Sequence, residues 1–144
     1  MAYPKYYLAY GSNLNLAQME QRCPTSKKVG TARIKNYRLL FKQTYLTIEL
    51  AEGYEVPVGV FEIWENDERA LDYYEGYPDF YYKKGFETVL NGSSRPLNAF
   101  AYIMDESYRF ELPSPIYVET VRQGYADFGF DFSSIEEAIA YSNR

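Results

Sequence analysis

The sequence predicts an α+β protein, a small mixed, barrel-like β-sheet with peripheral short helices. Three observations point there. Strand-like segments dominate the pattern; the helical segments are short and fall early, in the middle and at the end; and no long helix separates consecutive strands, which argues against a doubly wound parallel sheet. With 144 residues and no repeats, low-complexity tracts or linkers, residues 1–144 form one domain's worth of chain.

The elements follow in order. Tyr6–Tyr10 is an apolar, aromatic stretch that ends in Gly11. Asn15 can cap a helix running to about Arg22, with Gln18 at the capping-box position, and Pro24 stops it. Lys28–Ile34 and Tyr37–Lys42 read as strands. In Tyr45–Ala51, Leu46, Ile48 and Leu50 alternate with other residues at period two. Glu52-Gly53 reads as a turn before the longest strand candidate, Val56–Trp64. Asn66 is the expected cap of a short helix, Asp67–Tyr74, with Gly76 as its C′ residue. Tyr82–Leu90 and Leu97–Met104 suggest a hairpin across Asn91-Gly92-Ser93-Ser94. Ser114-Pro115 is an N-cap followed by proline at N1, starting a helix to about Asp127. Ser133 with Glu136 predicts a capping box for a last helix to about Tyr141.

Composition removes whole classes of chemistry. The net charge is −5, and a phosphate backbone needs a basic face, so nucleic acid is not an expected partner. No apolar run approaches the roughly 20 residues that span a bilayer, so no membrane partner is expected either. Met1-Ala2-Tyr3-Pro4-Lys5 lacks the apolar core of a signal peptide, and a cytoplasmic location is the default. There is no histidine, which excludes Ser-His-Asp and Cys-His catalysis and His-ligated metal. The single cysteine, Cys23, excludes an internal disulfide and reads as a buried structural residue. Proton transfer is left to a carboxylate, a tyrosine or a lysine. Tyrosine is abundant, 17 residues, and most of these rings are expected to pack half-buried.

Two local features carry chemistry. Tyr10-Gly11-Ser12-Asn13-Leu14 joins a strand to a helix through a glycine-led turn, a layout that offers backbone N–H groups to an anion; spacing alone favours an ordinary turn and cap. Glu75 ends the middle helix, where the negative end of the dipole and aromatic neighbours both raise a carboxyl's pKa. Such a shift suits a general acid or base near neutral pH; the alternative is a solvated surface glutamate. Asp72 reads as a helix-face residue and Asp79 as a turn residue. Arg33 and Arg122 could bind a carboxylate, though nothing singles them out. Arg109, Glu111 and the run Asp67-Glu68-Arg69 read as solvated charge.

These residues resemble the gamma-glutamylcyclotransferases of the AIG2-like group. The match runs through Tyr7-Leu8-Ala9-Tyr10-Gly11-Ser12-Asn13-Leu14 with Met19 and Arg22-Cys23-Pro24, through Leu71-Asp72-x-x-Glu75-Gly76 with Tyr82, through Ala101-Tyr102-Ile103-Met104, and through Pro113-Ser114-Pro115-x-Tyr117 with Gly124 and Gly129. The resemblance implies a small mixed α/β barrel, a loop from Tyr7 to Leu14 that binds a gamma-glutamyl group, Glu75 as the acid/base, and Tyr82, Tyr102 and Tyr117 lining the pocket. The Tyr-Gly-Ser-Asn form of the loop is similar to the branch acting on gamma-glutamyl amino acids rather than gamma-glutamylamines. The Gly-Tyr-Pro after Glu75 is similar to bacterial members. A homodimer is an expectation from the resemblance alone.

The expected reaction is cyclisation of a small-molecule gamma-glutamyl substrate. Its α-amine attacks its own γ-carbonyl, giving 5-oxoproline and a free amine, with no metal or cofactor. Because the reaction is intramolecular, holding the folded conformer does much of the work. Two other readings stand beside it: a non-catalytic binding or regulatory domain that keeps the pocket, and a tyrosine-rich interaction module with no pocket.

Overall fold

A computed structural model describes residues 2–144. Five strands form one sheet in the order β2-β3-β1-β5-β4, and four α-helices surround it. β1 (Lys5–Ala9) runs antiparallel to β3 (Tyr45–Ile63) and parallel to β5 (Pro96–Met104), so the sheet is mixed. β2 (Lys27–Lys42) pairs with β3, and β4 (Tyr81–Val89) pairs with β5. The two outer strands curl toward one another. Thr88 Oγ1 on β4 donates to the Arg33 carbonyl on β2 at 2.8 Å, and Asn91 N–H reaches the Thr31 carbonyl at 2.9 Å. The expected α+β, barrel-like sheet with peripheral helices is the observed architecture.

The segmentation of the first half differs from expectation. The two predicted strands Lys28–Ile34 and Tyr37–Lys42 are one strand, β2, and Tyr45–Ala51 and Val56–Trp64 are likewise joined in β3. Register explains why. Lys35 pairs with Glu55 and Tyr37 with Leu50, so residues 51–54 bulge opposite Asn36 alone. The expected Glu52-Gly53 turn is this bulge, pinned where Asn36 Oδ1 accepts from Gly53 N–H at 3.1 Å. A bulge bends and twists a ribbon without ending it. The hairpin turn proper is Gln43-Thr44, both at positive φ, as a two-residue turn matched to strand twist requires.

α1 (Leu16–Arg22) is capped as expected, Asn15 Oδ1 accepting from Gln18 N–H at 3.1 Å. α2 (Glu65–Glu75) begins before the predicted start. Asp67 Oδ2 reaches back to Trp64 N–H at 3.0 Å, which makes Trp64 the cap residue, while Asn66 turns aside to Thr25. Gly76 closes α2 in the left-handed region at φ 66°, a conformation that favours glycine. α3 (Pro115–Asp127) starts on the predicted Ser114 cap, which accepts from Tyr117 N–H at 3.2 Å. α4 (Ser133–Ser142) lacks the expected capping box, because Ser133 is already helical and its N–H bonds to Asp131.

Both faces of the curled sheet contribute to the core. Leu8, Val56, Val58, Val60, Ile63 and Phe41 are fully buried, and Val121 and Tyr125 of α3 with Ile135 and Ala138 of α4 belong to the same cluster. α3 comes unusually close to the β1–α1 connection. A Cβ built on Gly124 lies 2.6 Å from Asn15 N and 2.7 Å from Leu14 C, so only glycine permits this approach. Cys23 is buried, and burial beside Asp67 pushes its thiol up to about 12, as expected for an inert structural cysteine.

Candidate active site

Residues 12–14 form a single 3-10 turn between β1 and α1, closed by Leu14 N–H to the Gly11 carbonyl at 3.0 Å. The N–H groups of Ser12 and Asn13 precede that first bond and cannot join it. Gly11, Ser12 and Asn13 border a narrow cavity of about 20 Å³. Tyr7, Tyr10, Gly11, Ser12 and Asn13 form one wall of it, and Glu75 with Leu46, Tyr81, Tyr102 and Tyr117 forms the rest. The glycine-led loop and the predicted acid/base therefore face one cavity from separate parts of the sequence.

Each wall residue is held. Tyr7 Oη accepts from Asn13 Nδ2 at 2.8 Å, and Asn13 Oδ1 in turn accepts from the Arg22 guanidinium. Tyr10 Oη donates to the Tyr102 carbonyl at 2.6 Å, and Tyr125 Oη donates to the Tyr10 carbonyl at 3.0 Å. Tyr81 Oη donates to the Leu46 carbonyl at 2.8 Å, and Tyr117 Oη accepts from Leu46 N–H at 3.3 Å. Tyr102 Oη donates to Asp72 Oδ1 at 2.6 Å. Asp72, expected as a plain helix-face residue, thus anchors a wall of the pocket; it also pairs with Lys83 at 3.0 Å. Lys83 and Lys5 share the buried Glu68 at 2.5 and 2.9 Å, so of the run expected to be solvated charge Asp67 and Glu68 are buried and bonded, and Arg69 is exposed.

Glu75 sits at the last position of α2. Burial in this aromatic setting raises its carboxyl to about 8, with the nearby Arg22 charge pulling the other way. Burial drives the Tyr7, Tyr10 and Tyr81 hydroxyls well above their ordinary range, and those of Tyr102 and Tyr117 upward as well. The tyrosines therefore stay protonated and serve as fixed hydrogen-bonding groups. Glu75 alone among these wall residues exchanges a proton near neutral pH. No group of three or more His, Cys, Asp or Glu side chains among the described residues is placed to hold a metal ion.

Several expectations are redistributed. Of the predicted loop, Tyr7, Tyr10, Gly11, Ser12 and Asn13 reach the cavity, whereas Leu8, Ala9 and Leu14 are buried in the core behind it. Tyr82 does not line the pocket. It is 40% exposed, and its neighbour Tyr81 points inward instead. Successive strand residues face opposite sides, and three consecutive aromatics, Phe80, Tyr81 and Tyr82, give no hint of the phase. A turn glycine such as Gly11 is expected to need positive φ or close contact; its φ is −125°, and the contact is what remains, a built Cβ lying 3.3 Å from Tyr117 Oη. Arg33 pairs with Glu55, and Arg122 with Glu119, both away from the cavity.

Next to this cavity lies an outer chamber of about 260 Å³. Ser12, Glu75, Tyr81 and Tyr117 belong to both, and Tyr45, Tyr73, Tyr74 and Phe80 complete the outer wall. Sequence reasoning missed Tyr45 and Phe80, since β3 and the Gly76–Phe80 turn meet only in three dimensions.

Comparison with known proteins places the fold and the family. No curated protein matches the sequence. Among solved structures, one described as a gamma-glutamyl cyclotransferase superposes with a TM-score of 0.82 at 24% identity, covering 93% of this chain and 85% of that one. An uncharacterized protein from Homo sapiens superposes with a TM-score of 0.81 at 25% identity over the same shares. An AIG2-like protein from Mus musculus gives 0.60 at 15% identity, over 80% of this chain and 82% of that one. No helix among the described residues is long and apolar enough to cross a membrane. The family model for gamma-glutamyl cyclotransferase, AIG2-like, matches residues 7–120, a span that contains both halves of the cavity, and the chain belongs to that family.

Proposed function

We propose that the protein cyclises a gamma-glutamyl amide to 5-oxoproline and releases the amine, with Glu75 as acid and base. The observation that carries this reading is the meeting of Glu75 with Gly11, Ser12 and Asn13 around one cavity. The gamma-glutamyl group binds between the Gly11–Asn13 loop and Glu75. The Ser12 and Asn13 N–H groups hold an oxygen of the substrate. Glu75 in its carboxylate form takes a proton from the α-amine as that nitrogen bonds to the γ-carbonyl carbon. The tetrahedral centre collapses, the bond to the leaving nitrogen breaks, and Glu75 returns the proton to that nitrogen. Confinement of the folded conformer lowers the barrier by converting the attack to an oriented intramolecular step, and the tyrosine walls keep out the water that favours hydrolysis.

The test is 5-oxoproline formation from gamma-glutamyl compounds by wild type and Glu75→Gln. The expected loss in the variant is roughly 10²–10⁴-fold with the fold intact. A folded Gln variant with near-normal turnover removes Glu75 from the mechanism. Tight binding of gamma-glutamyl compounds without turnover by the wild type favours a binding domain.

A further inference from the structure

The outer chamber sets what the leaving group can be. Ser12, Glu75, Tyr81 and Tyr117 line both it and the inner cavity, so with the γ-carbonyl at Glu75 and the glutamyl end toward the Gly11–Asn13 loop, the chamber is the space left for the group on the amide nitrogen. The wall is a chain of edge-to-face rings: Tyr117 against Tyr45 at 5.2 Å, Tyr45 against Phe80 at 6.0 Å, Phe80 against Tyr81 at 5.1 Å. Such rings favour another ring placed edge-on or offset, and they attract the ammonium that the departing amine becomes. Among the described residues no lysine or arginine lines the chamber; its one acidic residue is Glu75. Arg22 lies against Tyr74 and is bonded to Asn13, in a separate recess with Gln18 and Gln21. A carboxylate on the leaving group would therefore enter an aromatic chamber with an acid in its lining and no cation to meet it, a costly desolvation.

We propose that the outer chamber is the leaving-group subsite and that it selects arylalkylamines lacking a carboxylate. The proposal rests on the cyclotransferase reading and narrows it, away from the gamma-glutamyl amino acids that the loop sequence suggests.

Three compounds test it with the full chain: gamma-glutamyl-phenethylamide, gamma-glutamyl-phenylalanine, which adds only the carboxylate, and gamma-glutamyl-ethylamide, which lacks the ring. The expected kcat/KM for the phenethylamide exceeds each of the others by about tenfold or more, as one well-filled or one mismatched contact commonly gives. Equal or better turnover of the phenylalanine or the ethylamide compound overturns the subsite while leaving cyclotransferase activity standing. No turnover of these three or of gamma-glutamyl-alanine overturns the cyclotransferase reading and the subsite with it. Tyr73 is 91% exposed at the rim, so Tyr73→Arg is expected to fold and to raise the phenylalanine compound several-fold relative to the phenethylamide. An unchanged ratio in folded Tyr73→Arg counts against the missing cation as the cause and overturns the carboxylate half of the proposal.

Discussion

The Arg22 guanidinium carbon lies 3.4 Å from the centre of the Tyr74 ring. The same guanidinium bonds to Asn13 Oδ1, and Tyr74 Oη is 3.1 Å from Ser12 Oγ. One cation therefore ties the end of α2, beside Glu75, to the loop that faces it. Its charge also opposes the burial that raises the Glu75 carboxyl.

Removing that charge while keeping a polar side chain, in Arg22→Gln, is expected to move the acid limb of the kcat/KM–pH profile upward from its wild-type position near 8. At pH 7 the rate constant falls roughly 3- to 10-fold, since raising the limb by one pH unit cuts the ionised fraction about tenfold. Arg22→Lys restores the charge but not the flat stacking, so its limb returns toward wild type while KM stays raised. An unmoved limb in folded Arg22→Gln contradicts the electrostatic role.

Two carboxylates on α2 give stability opposite slopes with pH. Burial alone would raise Glu68, but Lys83, Tyr3 and Lys5 hold it at about 2. Its stabilisation is present above the ordinary value of 4.5 and is lost as pH falls toward 2. Glu75 is raised to about 8, so the folded state holds its proton more tightly; that contribution is full below 4.5 and is lost as pH rises through 8. Stability is therefore expected to peak near pH 5, and each arm is worth on the order of 2–4 kcal/mol. Thermal melts from pH 3 to 9 check this. Glu75→Gln should melt higher than wild type at pH 8.5 and no higher at pH 4.5.

Tyr81 and Tyr82 are neighbours in sequence with different fates. Tyr81→Phe strands the buried Leu46 carbonyl and is expected to cost about 1–3 kcal/mol and to lower turnover by loosening the cavity wall. Tyr82→Phe, on the outer face, should change kcat/KM by less than about twofold, in line with ordinary surface substitutions. A matched pair of melts and rate measurements separates them.

Gly124→Ala places a methyl group into the backbone of Leu14 and Asn15. Neither segment can yield without moving the loop or α3. The expected destabilisation is about 1–3 kcal/mol or more, with a raised KM because the Ser12 and Asn13 N–H groups shift. Unchanged KM in a stable Gly124→Ala protein argues that the loop is anchored elsewhere.

Much of this was legible in the chain. The Asn15 and Ser114 caps are local hydrogen bonds and follow from neighbouring residues. The Glu75 environment was readable from its place beside Tyr73, Tyr74 and Gly76. What was illegible depends on distant register. Whether Glu52-Gly53 ends a strand or bulges from it is decided by Asn36 on the partner strand. Whether Tyr81 or Tyr82 turns inward is decided by the phase in which β4 meets β5. The Glu68–Lys83–Asp72–Tyr102 network joins α2 to two strands, and its members look like ordinary surface charge when read singly.

The cavity is built from both ends of the chain: residues 7–13 supply one wall, Tyr117 closes another, and Gly124 seats α3 on the loop. During synthesis the chain emerges from its N-terminus at about 5–20 residues per second. β1 therefore waits for β5, its parallel neighbour, and the loop waits longer still for α3. A nascent chain that has not yet released α3 lacks Tyr117 and so has no finished pocket. The ability to grip a small molecule arrives late and all at once, so binding of such a molecule reports completion of the fold rather than any stage on the way to it.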